Sequence, residues 1–188
     1  MSLERRDQLV EQIVETQPKL LAFVRDRGPG HVMLPGWEVL SYSFQKGFET
    51  LWDHARADSS GLLSQPVLSL WRQSVELALK AAILYIAGGI NGKPGHNLAA
   101  LFAQLLAARE ELGFVDDDEL TASVRAMIAL VRSLDPFADR FRYPEAKDGT
   151  PFDGIDVNLD ELFQAHWIIV TYCAGCEIEV EEMRGFHL

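Results

Sequence analysis

One set of residues that could do chemistry is a strip of alternating charge in the middle of the chain. Arg72, Glu76 and Lys80 are spaced four residues apart, so on a helix they share one face, where opposite charges can pair. Such a strip can be a solvated face with ordinary ion pairs. It can also line a groove or a subunit interface, where the paired charges contact a ligand or a partner.

A second set lies in the irregular segment 136–158 and just before it. Its cations and its ring are Arg132, Arg140, Arg142, Tyr143 and Lys147. Arginine suits phosphate, because its planar fork donates two hydrogen bonds at once. A long loop in a compact domain is commonly functional or flexible. This loop therefore either binds a phosphate-bearing ligand or is tied to an acidic body by its arginines.

His96 stands directly before Asn97, which can cap a following helix. The preceding turn is rich in glycine, but Gly92-Lys93 is followed by Pro94, so it is not a phosphate-binding P-loop. A helix N-terminus with a lysine nearby could still hold an anion. The alternative is a tight connection between helices, in which the histidine bonds to the backbone.

Cys173 and Cys176 form a C-x-x-C pair with His166 two helical turns before it. Zinc prefers four ligands, and only three are local. A thioredoxin-like site needs a preceding strand, and the sequence shows no strand pattern there. We therefore predict no metal and no cofactor, and we interpret His166 as a core residue.

The elements that position these residues are predicted to be helices. The stretch 66–106 resembles a helical hairpin: a broadly apolar and therefore central helix, a glycine-rich turn and an amphipathic helix. Ser64 is the expected cap of the first helix, and Gly88-Gly89 is its expected end.

Further helices are expected on both sides of the hairpin. The first is predicted over 3–27, where Pro18 should kink it or divide it in two, with a stop at 28–30. The others are predicted over 37–56, from the caps at 116–118 to Leu134, and from Asn158 or Asp160 to about Arg184. The aromatic residues of 37–56 are interpreted as core rather than as a base-stacking platform. Asp148-Gly149 could turn a small hairpin.

Length and composition narrow the class of protein. With 188 residues, the chain can form one sizeable core, and 17 Lys and Arg against 28 Asp and Glu give a net charge of −11. Such acidity makes the whole surface a poor attractor for nucleic acid, so RNA or nucleotide binding needs a local basic patch. Two cysteines make no disulfide framework, and no apolar run could cross a membrane, so a cytoplasmic protein is expected.

Three motifs resemble a known family. They are Glu76 with Leu79-Lys80-Ala81, then Gly95-His96-Asn97-Leu98, then Arg142-Tyr143-Pro144. In this order and spacing they resemble the HEPN family (higher eukaryotes and prokaryotes nucleotide-binding domains) over roughly residues 66–180. The resemblance implies a small all-α domain with an antiparallel bundle core, commonly dimeric, in a defence or toxin–antitoxin setting.

Many proteins of that family are metal-independent ribonucleases, with an Arg followed four to six residues later by a His on a helix. No His follows Arg132, Arg140 or Arg142 at this spacing, and the Arg25–His31 pair spans Gly28-Pro29-Gly30 outside the family-like region. We therefore expect a non-catalytic module that binds a nucleotide, an RNA or a protein partner. The alternative is an atypical endoribonuclease using His96 with Arg142. A third possibility is that these residues serve only a dimer interface.

The sequence thus predicts an all-α antiparallel bundle of five to six helices with one long irregular loop before the last helix. One domain is expected over 1–188, with N-terminal helices in 1–60 and a HEPN-like core in 66–184. The candidate ligand or interface residues are Arg72, Glu76, Lys80, His96, Arg140, Arg142 and Tyr143. A homodimer is expected, with no membrane contact.

Overall fold

The computed structural model describes residues 3–16 and 36–185, and this part of the chain is all-α. Its helices are α1 (Leu3–Thr16), α2 (Trp37–Ala57), α3 (Ser64–Ala87), α4 (Leu98–Glu111), α5 (Glu119–Leu134) and α6 (Leu159–Gly185). The predicted helical bundle, with an irregular segment before the last helix, is confirmed. The chain divides into a first unit, Met1–Leu34, and a second unit, Pro35–Leu188. The expectation of one domain over 1–188 stays a prediction.

The first unit contributes a single described helix, α1. Leu9 and Val10 belong to its apolar stripe, yet both side chains are exposed. The predicted continuation to residue 27, with the kink or division at Pro18 and the stop at 28–30, lies outside the described residues.

Helix α3 is the centre of the second unit, as its broad apolar surface predicts. Fourteen of its 24 residues are buried, and it packs against α2, α4 and α6. Gly88 ends it in a left-handed conformation (φ 70°), which glycine adopts without strain. The predicted cap at Ser64 is wrong by one position: Leu63 precedes the first helical residue and supplies no side-chain bond.

Two helices of the second unit begin at the caps that the sequence predicts. The side chain of Asn97 accepts from the backbone N–H of Ala100 at the start of α4 (3.1 Å). Asp118 accepts from that of Thr121 at the start of α5 (2.9 Å). Both satisfy backbone donors that have no partner within the helix.

The segment between α5 and α6 is irregular but anchored. The predicted turn at Asp148-Gly149 is confirmed: Gly149 is left-handed (φ 82°), and Glu145 pairs with Pro151 in an antiparallel bridge. Phe141 is buried, and Ile155 packs against the core. The segment therefore forms a wall of the domain.

The aromatic residues of α2 divide between core and surface. Phe48 is fully buried and Trp52 stacks on Phe163 of α6, as the core interpretation predicts. Trp37 and Tyr42, however, are exposed. None of the helices in the described ranges is both long and apolar enough to cross a membrane.

Candidate ligand-binding site

Four of the predicted site residues meet in one charged cluster, together with a residue that the sequence did not single out. The cluster consists of Arg72, Glu76, Lys80, His96 and Asp135. Arg72, Glu76 and Asp135 are buried, which rules out a simple solvated face for this strip. Buried charges are tolerated where they pair and hydrogen-bond.

Glu76 is the centre of the cluster. Its carboxylate accepts from Lys80 Nζ at 2.7 Å and lies 2.9 Å from His96 Nδ1. Arg72 Nη1 lies 3.5 Å from the same carboxylate. The Glu76 side chain is only 2% exposed, whereas that of His96 is 52% exposed. His96 is thus held at one ring nitrogen, and its imidazole reaches the surface.

Arg72 connects this carboxylate to a second one. Its Nε lies 2.9 Å from Asp135 Oδ2, in an alignment that makes an ion pair rather than a hydrogen bond. Its Nη2 donates to the carbonyl of His96 at 2.8 Å. The expected bond from the histidine to the backbone is not the one that the structure shows, because the His96 ring contacts the Glu76 carboxylate. Burial lowers the pKa of Arg72, and Asp135 and Glu76 oppose that change.

Asp135 is the member that sequence reasoning missed. It directly follows the last residue of α5 and precedes Pro136, yet it is fully buried. Its Oδ1 accepts from the backbone N–H groups of Asp139 and Arg140 at 2.9 and 3.1 Å. An aspartate at the end of a helix commonly bonds to following backbone, and that tendency is the signal that could have identified it.

Arg142 is the exposed cation next to this cluster. Its Nε donates to the carbonyl of Ala138 at 2.6 Å. Within the described ranges its terminal nitrogens have neither an ion pair nor a hydrogen bond. Ala138 is itself left-handed (φ 62°), a conformation that costs energy for a residue other than glycine. The strained residue is therefore the one whose carbonyl holds the Arg142 side chain.

Arg142 and Arg72 share a small cavity of about 20 Å³, whose walls include Ser69 and Gln73 of α3. The charge of Arg142 also contributes to the lowered pKa of Arg72. The cavity is large enough for about one water molecule or one oxygen of a ligand. Two arginines, a serine and a glutamine thus line one recess, and Asp135, already paired with Arg72, lines it as well.

Arg140 and Tyr143, the other two candidate residues of the irregular segment, differ in exposure. Arg140 is half-buried and donates to the carbonyls of Leu134 (3.4 Å) and Asp153 (2.9 Å), with its guanidinium over the ring of Phe152. It therefore ties the irregular segment together through backbone carbonyls rather than acidic side chains. The interpretation that the arginines tie this loop to an acidic body stays a prediction. Tyr143 is 57% exposed, and its backbone carbonyl lies 3.5 Å from Gln65 Nε2.

A larger cavity of about 320 Å³ has Phe141 in common with the recess, since this residue lines both. Helices α3, α5 and α6 and residues 155–158 supply its walls, which are mainly apolar. Sequence reasoning did not identify it. The signal was present in the sequence, because the irregular segment carries the apolar residues Phe141, Ile155 and Val157 among its charged ones.

His166 and the two cysteines of the C-x-x-C pair are buried. His166 is buried, lies 2.8 Å from Ser74 Oγ through Nε2, and burial lowers its pKa to about 4. Burial raises the pKa of Cys176 to about 12, which leaves a thiol rather than a reactive thiolate. Within residues 3–16 and 36–185, no three His, Cys, Asp or Glu side chains converge as metal ligands. The Arg25–His31 pair lies outside the described residues.

Comparison with models of protein families, with curated proteins and with solved structures gave no match to this chain. The resemblance to the HEPN family consequently stays a prediction that rests on the three motifs.

Proposed function

We propose that this chain is a non-catalytic, HEPN-like helical module that binds a nucleotide. A phosphate group of the nucleotide binds to the terminal nitrogens of Arg142, and the base stacks on the exposed ring of Tyr143. The observation that supports the proposal most is the state of Arg142: its guanidinium is exposed and strained backbone holds its Nε, while its other donors have no partner in the described part of the chain.

The neighbouring charges favour a binding site over a catalytic one. Arg72 and Lys80 are already paired with Glu76 and Asp135 inside the domain. They hold the local structure and partly neutralise one another, so they do not offer mobile proton donors. Ser69 and Gln73, which line the recess, can add neutral hydrogen bonds to a phosphate oxygen.

The size of the basic patch favours a nucleotide over a long RNA. The chain carries a net charge of −11, and a polyanion gains affinity by contacting many cations along its length. One exposed arginine with two polar neighbours suits a single phosphate group. A protein partner would need a larger surface than this recess provides.

We also propose that the module is a homodimer, as the family resemblance implies. Leu120 of α5 and Trp167 of α6 are both exposed and line one surface cavity of about 420 Å³. Large apolar side chains at the surface are typical of association sites. Light scattering of the purified chain, beside a Leu120→Ser/Trp167→Ser variant, tests this assembly; a wild-type monomer would contradict it.

A specific contact favours one second candidate, an atypical metal-independent endoribonuclease. A buried carboxylate that holds one ring nitrogen of a surface histidine is the arrangement by which a general base is oriented. With Nδ1 held by Glu76, Nε2 of His96 could take the proton of a ribose 2′-hydroxyl while Arg142 stabilises the charged phosphate. Incubation of RNA in EDTA with wild type, His96→Ala and Arg142→Ala separates the two: cleavage lost in both variants would replace our proposal with this one.

The nucleotide proposal is tested by calorimetric titration of ATP into wild type, Arg142→Ala and Arg132→Ala. Arg132 is an exposed arginine outside the recess, so its loss controls for the change in net charge. We expect only Arg142→Ala to lose affinity, with its oligomeric state unchanged. If Arg142→Ala instead lowers dimerisation or stability, and wild type binds no ATP, the residue serves an interface and the proposal is wrong.

A further inference from the structure

The apolar cavity of about 320 Å³ is separate from the nucleotide recess and has the character of a ligand site. Trp71 of α3, Phe141 of the irregular segment and Leu162 of α6 are among its lining residues. Its volume is at the lower end of the range for small-molecule pockets, roughly 300–1,000 Å³. Trp71 and Phe141 are almost fully buried, and the indole N–H of Trp71 donates to the carbonyl of Leu162 at 3.1 Å. The wall is thus fixed by the fold.

The charged groups of this cavity have one sign. Asp156 and Glu161 line it, and both residues are exposed. In the part of the chain that the structure describes, neither carboxylate has an ion pair. By contrast, Asp160, which lies between them in sequence, is paired with Arg56 at 3.0 Å. Two unpaired carboxylates therefore stand at an apolar cavity that no lining cation balances.

We propose that this cavity binds a small organic cation. The apolar body of the ligand fills the space against Trp71, Phe141 and Leu162, and an ammonium group at its end contacts Asp156 and Glu161. An anionic ligand of the same shape is repelled by the two carboxylates, and a neutral one gains only from the apolar wall. Charge sign is thus the property by which this cavity selects its ligand.

The test compares three ligands of one shape: octylammonium, 1-octanol and octanoate. Binding is measured from the shift of the Trp71 indole N–H signal in a proton–nitrogen correlation spectrum. That signal is assigned by elimination with Trp37→Phe, Trp52→Phe and Trp167→Phe. We expect octylammonium to bind most tightly, octanol less tightly and octanoate least. No shift of the Trp71 signal with any ligand, or equal affinity for the cation and the anion, would overturn the proposal.

Neutral variants of Asp156 and Glu161 test whether these two carboxylates cause the preference for the cation. Asp156→Asn/Glu161→Gln removes both carboxylates from the cavity, and both sites are exposed, so the fold is retained. We expect octylammonium affinity to fall about fivefold, since exposed charge pairs contribute modestly, with octanol affinity unchanged. The control Asp153→Asn/Glu182→Gln removes two exposed charges that do not line the cavity. An equal loss in the control would show a general charge effect and reject the site.

A variant that fills the cavity tests whether the apolar body of the ligand binds inside it. Ala165 lines the cavity, and Ala165→Leu places extra atoms inside it. We expect this variant to lose binding of all three ligands while its unfolding midpoint shows that it is folded. A folded Ala165→Leu protein with wild-type affinity would contradict the proposed position of the ligand. None of these measurements uses a nucleotide, so failure here is distinct from failure of the nucleotide proposal.

Discussion

Replacing Glu76 by glutamine tests the interpretation of the charged cluster. The substitution keeps the size of the side chain and removes its charge. It also replaces one acceptor oxygen with an NH₂ group, which would face the donors Lys80 Nζ and His96 Nδ1. In the variant, Arg72 stays buried with only Asp135 as a charged partner.

The expected cost follows from the burial of each partner. Breaking a buried ion pair by removing one member costs about 3–5 kcal/mol. Two features reduce that figure here: Arg72 keeps its contact with Asp135 at 2.9 Å, and His96 is half exposed and can turn to water. We therefore expect a loss of about 2–3 kcal/mol in the free energy of unfolding. For a unit of this size, that is a fall in Tm of about 4–12 °C.

The assay is urea unfolding followed by circular dichroism near neutral pH, with Glu182→Gln as the matched control. Glu182 lies exposed on α6, so its loss should change the free energy of unfolding by less than about 0.5 kcal/mol. If Glu76→Gln is as stable as the control, Glu76 does not hold the cluster together. The account of α3 as a helix with a structural charged centre would then be wrong.

Three further predictions concern titration and the surface histidine. Burial, with a smaller contribution from Glu38, raises the pKa of Glu177 to about 7; its stabilising contribution is therefore full below pH 4.5 and lost as pH rises through about 7. In urea unfolding, Glu177→Gln should have a free energy of unfolding about 1 kcal/mol above that of wild type at about pH 8, a value reduced for solvent screening. At about pH 4 the two proteins should be equally stable. His166, whose pKa is lowered to about 4, acts in the opposite direction. Its contribution to the free energy of unfolding is full above pH 6.5, and up to about 3 kcal/mol of it is lost as pH falls toward 4. In His166→Gln the loss of stability between pH 6.5 and 4 should be smaller than in wild type by that amount. Parallel plots of the free energy of unfolding against pH for the two proteins would contradict this prediction. His96→Ala should cost less than about 1 kcal/mol, because its ring is half exposed; a thermal-melt loss above about 2 kcal/mol would mean that the ring is structural.

Local signals in the sequence predict much of the fold. Gly88, Asn97 and Asp118 each act within one helical turn, so their roles as helix ends can be read directly from the chain. The central position of α3 follows from its broad apolar surface. The predicted cap at Ser64 is wrong because Ser, although a good cap in general, lies here one residue inside the helix.

The site is predicted less completely, because its partners are distant in sequence. The four-residue spacing of Arg72 and Glu76 shows that they can pair, but Asp135, which makes their burial possible, is 63 residues beyond Arg72. Similarly, the sequence does not distinguish Arg140 from Arg142, because both lie in the same basic loop. Only the structure separates an arginine that binds backbone carbonyls from one whose terminal nitrogens are open.

The most direct test of the central claim is the ratio of ATP dissociation constants between Arg142→Ala and Arg132→Ala. A charge-assisted hydrogen bond contributes about 1.5–3 kcal/mol. We therefore predict that Arg142→Ala binds ATP at least about tenfold more weakly than Arg132→Ala, with wild type equal to the control. Equal dissociation constants in the two variants, or no binding by wild type at low salt, would contradict the claim that this recess is a nucleotide site.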